Sequence, residues 1–458
     1  VTPSEKEKEE VLQFSKNLAK KLTKKLQSSG IRAKAHVHGS VAKDTWLVGE
    51  KDIDMFVLLP KAYTKEIFPK VFNVVKTLVG KKWMEAYAEH PYIEAEVEEY
   101  KIDFVPCFKI ERAEEAISSV DRTPLHTSYI KRHIDQQAKN EVRLLKRFMR
   151  GIDTYGAEIK VGGFSGYLCE LLILRYKSFV NTLEAFAQHK KRIVIDVEGY
   201  YEGRENELEL LFKEPLVTVD PVDRGRNVAS AVQPKKLYTF VAAARAFLGN
   251  PDTKFFYPPE TAALPAKELK QELAKHGSAI IFLTFEKVEA VPDILWGQLY
   301  KSKRSLHKLI QLNDFNVLRD VPWSDEKTVN MFIFELEQRF IPLVKKHLGP
   351  PLEKKNECEK FLLKHVKSSN TVSGPYIEDG RWVVEVRRKY TDAVVLLKDK
   401  LRDGGRSTGV AEQISKKLRK GFQIFVNEEI IGVYKRNSEF AKFLTEFLSG
   451  KPKWLENL

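Results

Sequence analysis

The feature that most constrains this chain is Gly39-Ser40, an eleven-residue spacer, and then Asp52-Ile53-Asp54 running into Met55-Phe56-Val57-Leu58-Leu59. The apolar run reads as a buried strand. Successive strand side chains alternate faces, so Asp52 and Asp54 point to one side and can share a cation. A bland reading of Asp-x-Asp is solvated charge at an exposed strand end. Against it, unpaired charge inside a buried strand costs roughly several kcal/mol unless a metal or partner offsets it. A second extended run, Lys101-Ile102-Asp103-Phe104-Val105-Pro106-Cys107-Phe108, carries a third acid in the same setting.

Three strand-borne aspartates suit Mg²⁺, which takes a few carboxylates together with substrate phosphates. The small Gly39-Ser40 turn can bring backbone N–H groups and a hydroxyl against a phosphate. Two ions about 3.5 to 4 Å apart can activate an attacking hydroxyl and stabilise a leaving pyrophosphate. The expectation is that Asp52 and Asp54 hold both Mg²⁺ ions. Asp103 would then complete the ion that activates the hydroxyl, for phosphoryl or nucleotidyl transfer.

Composition agrees with that chemistry without naming it. A chain of 458 residues exceeds one hydrophobic core, so two to four domains are expected. A net charge of +14 and a pI near 9.3 call for a polyanionic partner, either nucleic acid or an anionic surface. No apolar run approaches the roughly 20 residues of a spanning helix. The start, charged from Glu5 to Glu10, does not read as a signal peptide. A soluble cytoplasmic protein is expected. Cys107, Cys169 and Cys358 lack metal-ligand spacing and read as core thiols.

Residues 1–130 read as a mixed α/β head: a helix over Glu7 to Leu26, a strand through His36, the Asp-bearing strand, a helix near Lys65 to Val79, and strands around Glu94 and Asp103. Residues 131–250 turn mainly helical, with periodic apolar positions in Val142 to Met149, Tyr167 to Phe179 and Leu237 to Leu248. Asn250-Pro251-Asp252 and Pro258-Pro259 mark a linker. From 251 to 458, alternating helices and strands suit α+β sandwiches that bind RNA, with a tail subdomain inserted at about 296–378. No internal repeat is found.

Several blocks carry a closer resemblance. They are Gly39-Ser40-Val41-Ala42-Lys43-Asp44-Thr45-Trp46-Leu47, Tyr87-Ala88-Glu89-His90-Pro91-Tyr92, Val120-Asp121-Arg122-Thr123-Pro124 and Asn140-Glu141-Val142-Arg143-Leu144-Leu145-Lys146. Tyr155-Gly156-Ala157-Glu158, Gly163-Phe164-Ser165-Gly166-Tyr167-Leu168-Cys169-Glu170 and Asp220-Pro221-Val222-Asp223 with Arg226-Asn227-Val228-Ala229 complete the set. The sequence resembles the polymerase-beta-like nucleotidyltransferase superfamily and, within it, the archaeal class I CCA-adding enzymes. The match is dense to about residue 230 and thin beyond. It implies an α+β multidomain fold: a nucleotidyltransferase head, a helical central domain and α+β RNA-binding C-terminal domains. It implies addition of CCA to the tRNA 3′ end without a template, from CTP and ATP, with release of pyrophosphate.

Carried over residue by residue, the resemblance makes Gly39, Ser40, Lys43, His126, Lys146, Tyr155 and Arg226 nucleotide contacts, with Arg226 at the nucleobase. Position 43 departs from the pattern, since the family commonly has Arg there and Lys43 supplies charge without a bidentate fork. Arg143, Lys146, Arg147 and Arg150 form a basic stripe at i, i+3, i+4 and i+7, expected at a cleft wall. Glu89 and His90 occupy a turn near the site and are candidate RNA contacts beside a plain turn role. Gly162 to Gly166 lacks the P-loop lysine and reads as a helix start capped by Ser165. Lys301, Lys303, Arg304, Arg387 and Arg388 fit a phosphate track along the acceptor stem and TΨC arm of tRNA. No membrane partner is expected and a homodimer is left open. A poly(A) polymerase, a small-molecule nucleotidyltransferase and a catalytically silent RNA-binding protein are the rival readings. The long basic C-terminal half, the seven blocks and the intact aspartates argue against them.

Overall fold

The computed structural model describes residues 1–50, 52–87, 90–189 and 192–455. The chain forms two compact units, one of residues 1–260 together with the stretch from Lys451, the other of residues 261–450.

The first unit opens with α1 (Glu5–Ser28), whose first turn is closed by the Ser4 hydroxyl accepting from the Glu7 amide. Val11, Leu18, Leu22 and Leu26 recur at helical spacing and make its buried stripe. Then come β1 (Lys34–His38), α2 (Gly39–Lys43), β2 (Asp52–Leu59), α3 (Phe68–Val79), β3 (Trp83–Tyr87), β4 (Pro91–Val97) and β5 (Tyr100–Phe108). The strands make one sheet ordered β1-β2-β5-β4-β3, with β2 and β5 parallel. Alternation sorts the side chains by face. Ile53, Met55, Val57, Ile102, Phe104 and Ile93 join the stripe of α1 and Phe72 and Val75 of α3 in one core. The other face keeps a small apolar patch of Phe56, Val105 and Cys107, beyond which lie the aspartates.

The chain continues with α4 (Thr123–His133), α5 (Gln136–Gly151), α6 (Gly166–Tyr176), α7 (Phe179–Ala187), β6 (Ile193–Asp196), α8 (Glu205–Leu211), β7 (Leu216–Asp220), β8 (Asp223–Asn227) and α9 (Pro234–Gly249). Leu145, Phe148, Phe164, Leu183, Phe186 and Phe240 form its core, and Phe255 stacks on Trp454 with ring centroids 5.6 Å apart. This region, expected to be mainly helical, also carries a three-stranded sheet ordered β6-β7-β8. β7 is buried along its whole length, and the β-branched Val217, Thr218 and Val219 favour the pleat.

The second unit contains α10 (Ala266–His276), β9 (Ala279–Glu286), α11 (Pro292–Leu312), β10 (Val317–Ser324), β11 (Val329–Leu336), β12 (Val344–Pro351), α12 (Lys355–His365), β13 (Thr371–Glu378), β14 (Arg381–Arg387), α13 (Ala393–Lys400), α14 (Glu412–Lys420), β15 (Gln423–Val426), α15 (Ile431–Arg436) and α16 (Ser438–Ser449). Its main sheet runs β10-β11-β9-β15. Ile281 and Leu283 meet α11, α13 and α14 on one face, while Ile280 and Phe282 meet α10 and α16 on the other. Covering both faces explains why β9 is a continuous apolar run. A separate small sheet, β12-β14-β13, packs with α12 through Phe361 and Cys358. The segment expected as an inserted tail, 296–378, therefore divides: most of α11 and all of β10 and β11 belong to the main sheet's layers, and the small sheet starts at Val344. No helix among the described residues is long and apolar enough to cross a membrane. The three cysteines are buried free thiols.

Candidate active site

The site lies within the first unit. β1 ends at His38, and Gly39-Ser40 begins α2 directly, a helix start where a small turn was expected. Gly39 has φ +65°, and a Cβ there would lie 1.7 Å from Asp54 Oδ2. Only glycine lets the backbone come so close to that carboxylate. Asp54 is the ladder partner of His38 on one side and of Asp103 on the other. Asp52 sits two residues earlier on the same face and is exposed. Glu94 of β4 pairs with Asp103 in register, bringing a further acid to the row.

Burial pushes the Asp54 carboxyl above its ordinary range, and Asp52 adds to the shift while Lys43 opposes it. Asp103 is pushed up to about 7, by burial first and then by Asp54 and Glu94. Its Oδ1 is buried with no hydrogen-bond partner among the described residues. Those described residues hold no ready-made cluster of three His, Cys, Asp or Glu side chains around an ion position. The acids supply oxygen donors, with Asp103 Oδ1 unsatisfied and mutual repulsion to relieve, and His38, opposite Asp54, adds two buried ring nitrogens without a hydrogen-bond partner among the described residues. The carboxylate oxygens fit a hard divalent cation.

Beside the acids stands a buried lysine pair. Lys43, at the end of α2, donates to Glu170 Oε2 at 2.5 Å, and Thr45 donates to Glu170 Oε1 at 2.6 Å. Lys146 of α5 donates to the Thr45 carbonyl at 2.9 Å and lies 3.9 Å from Glu170. Burial lowers the Lys146 pKa, with Glu170 opposing. Gly166 opens α6 where a Cβ would meet the Tyr155 hydroxyl at 3.1 Å and Lys146 Nζ at 3.4 Å, so these two groups converge there. Ser165 caps α6 by accepting from the Leu168 amide, as expected. The rest of the basic stripe is internally bound: Arg143 to Asp44 and the Trp46 carbonyl, Arg147 to the Phe256 carbonyl, Arg150 to Glu50. The stripe expected as an open cleft wall is thus a set of struts between elements.

On a further side, Asp220 at the end of β7 is fully buried and accepts from His126 Nε2 at 2.8 Å, Arg226 Nη1 at 2.7 Å and the Tyr167 hydroxyl at 3.1 Å. The His126 ring stacks on Tyr167 at 4.2 Å. Burial pulls the His126 pKa down against the pull of Asp220. Burial would raise Asp220, but the His126 hydrogen bond and Arg226 hold it below its ordinary value.

The proposed RNA contacts fare unevenly. Glu89 lies outside the described residues. His90 turns inward, 3% exposed, with its ring 5.1 Å from Phe68 and Nε2 on the Pro106 carbonyl. That placement gives the ring a packing role and takes it away from RNA. Lys301, Arg304 and Arg387 are exposed, whereas Lys303 is paired with Asp320 at 2.7 Å and Arg388 with Asp314 at 3.2 Å. Thr45, Tyr167, Glu170 and Asp220 were not singled out from sequence. The available signal was an acid inside an apolar stretch, in Leu168-Cys169-Glu170-Leu171 and Leu216 to Asp220.

Family models match three stretches: "Nucleotidyltransferase domain" at 16–126, "tRNA nucleotidyltransferase, second domain" at 140–257, and "CCA-adding enzyme, C-terminal domain" at 276–427. The CCA-adding enzyme of Methanothermobacter thermautotrophicus is 35% identical over 98% of this chain and 96% of its own. That of Methanosarcina barkeri is 36% identical over 94% of this chain and 92% of its own. That of Pyrobaculum neutrophilum is 37% identical over 88% and 92%. With similarity running nearly end to end and the acidic face in place, the chain belongs to the CCA-adding enzyme family of tRNA nucleotidyltransferases.

Proposed function

We propose that this chain adds C, C and A in turn to the 3′ end of tRNA, without a nucleic-acid template and in the cytoplasm. In each round the tRNA 3′ hydroxyl attacks the α-phosphorus of CTP or ATP. A phosphodiester bond forms, the bond to the β-phosphate breaks, and pyrophosphate leaves. The observation that carries this reading is the register of Asp54 with Asp103 beside Gly39-Ser40, in a chain that matches CCA-adding enzymes along nearly its whole length.

Asp52, Asp54 and Asp103 would hold Mg²⁺, two ions in this reading. Bound there, Mg²⁺ neutralises phosphate charge and acidifies the attacking hydroxyl. Gly39 lets the backbone lie against Asp54, so that the Ser40 hydroxyl stands beside the acids to meet the triphosphate. Lys43 and Lys146 together carry one more charge than Glu170 balances, and that surplus meets the phosphate oxygens. Tyr155 and His126 orient phosphate and ribose, and Arg226 meets the base edge. In the second unit, Lys301, Arg304 and Arg387 offer exposed charge to a track for the acceptor stem and TΨC arm, and Lys303 and Arg388, paired with Asp320 and Asp314, brace it. The test is incubation with Mg²⁺ and tRNA ending before CCA, nucleotides supplied singly and together, and sequencing of the products. CCA ends are expected. Long A runs or unchanged tRNA would overturn the proposal.

A further inference from the structure

Arg226 carries only donors. At their pairing edges, cytosine and adenine present an unprotonated ring nitrogen where uracil and guanine present an N–H. A guanidinium donor fixed at that point accepts the first two bases and meets the others donor to donor. Discrimination of this kind requires that the arginine cannot swing aside. Yet Arg226 lies on the short hairpin strand β8, its side chain about a third exposed, and a long flexible stem gives it many rotamers.

One group removes that freedom. We infer that Asp220 is a positioning residue for base selection, holding Arg226 and His126 in a single arrangement toward the incoming nucleotide. Its carboxylate is fully buried and saturated: Arg226 and His126 share Oδ2, while the Tyr167 hydroxyl and the Val222 amide share Oδ1. Sharing Oδ2 couples the two substrate-facing groups. Donation from Nε2 also sets the His126 tautomer, leaving Nδ1 an acceptor, and Tyr167 stacked beneath fixes the plane of the ring. Arg122, ion-paired with Asp223 at 2.8 Å, pins the same hairpin from α4's side. Arg226 thus reaches the base with its direction already set, so rejection of uracil and guanine costs no reordering at the moment of binding. The inference rests on the proposed contact between Arg226 and the base.

The test measures kcat/KM for CTP, ATP, UTP and GTP on the appropriate tRNA primers with Mg²⁺. Asp220→Asn, which weakens the shared acceptor, is expected to lower the preference for the correct nucleotide by about tenfold or more, chiefly through KM. Against an Arg226→Ala background the same change is expected to move that preference by no more than about twofold, because the two act through one path. Should folded Asp220→Asn select normally while Arg226→Ala does not, the positioning role is wrong and the base contact stands. Should both select normally, the base contact itself is wrong. If Asp220→Asn does not fold, Tyr167→Phe removes a single donor: a few-fold loss of selectivity is expected, and an unchanged preference overturns the inference.

Discussion

At the scale of single residues, Asp103 is where burial and charge conflict most directly. Its carboxyl, pushed up to about 7 by burial and by Asp54 and Glu94, is held protonated in the folded, metal-free chain over a range where the unfolded chain has it ionised. A group whose folded pKa is raised stabilises the fold fully below its unfolded pKa, and the contribution is lost as pH rises through about 7. In chelator, Asp103→Asn, which stays neutral, should therefore melt about 2–4 °C above the unsubstituted protein at alkaline pH. Below the ordinary carboxylate pKa the two should coincide. Equal melting at alkaline pH would show that Asp103 is not under charge strain. With Mg²⁺ present the order should reverse, since only the intact acid gains from the ion. Asp103→Ala should abolish turnover while nucleotide still binds, read by product sequencing alongside equilibrium binding. Asp103 was legible in the sequence because a lone acid interrupted an apolar strand. Glu170 carried the same signal, but the lysine that answers it is 127 positions away, so whether it seats a metal or balances a cation could not be decided locally.

At the scale of elements, local pattern was enough to place α1, β2 and β5, whose apolar positions agree with their packing, and the cap of α6 at Ser165. The pattern failed where partners from elsewhere decide. The charged positions of α5 look like a solvated or substrate-facing stripe, and they became struts because Asp44, Glu50 and the Phe256 carbonyl fold back onto them. The limits of the small sheet were hidden because α11 is amphipathic whichever sheet it covers. The β1–α2 junction is the element on which the site turns, and it yields a sharp prediction. Gly39→Ala puts a methyl 1.7 Å from Asp54 Oδ2 at φ +65°. The left-handed backbone alone costs an added side chain about 1–2 kcal/mol. The carboxylate must also move. Expected are a loss of stability of about 1–3 kcal/mol in denaturant titration and a far larger loss of turnover than of stability. A variant that is destabilised yet fully active would show that the approach of Gly39 to Asp54 has no part in the chemistry.

At the scale of the whole molecule, a net charge of +14 attracts any polyanion, so affinity for tRNA alone proves little. What distinguishes a register-fixing track from diffuse attraction is which cations carry the salt dependence. Binding that neutralises phosphates weakens linearly on a double-logarithmic plot, and each lost contact lowers the slope by about one. The structure divides the five distal candidates by their partners. Lys301, Arg304 and Arg387 expose their charge, whereas Lys303 and Arg388 already neutralise Asp320 and Asp314. Removing Lys301 or Arg304 costs only its phosphate contact, whereas Arg387 also donates to the Ser369 carbonyl at 3.1 Å. Removing a paired one leaves Asp320 to His307 or Asp314 to Lys345 and disturbs the joint it holds, since Arg388 also ties the Pro342 and Val344 carbonyls where the small sheet begins. Alanine at Lys301, Arg304 or Arg387 should therefore each lower the salt slope of tRNA binding by about one, at Lys301 and Arg304 without moving the thermal transition. Alanine at Arg388 should shift the transition downward, and alanine at Lys303 or Arg388 should leave the slope nearly unchanged. Fluorescence titration of tRNA at several salt concentrations, beside a thermal melt of each variant, reads both quantities. A uniform slope change across all five would mean that net charge, and no defined track, holds the tRNA.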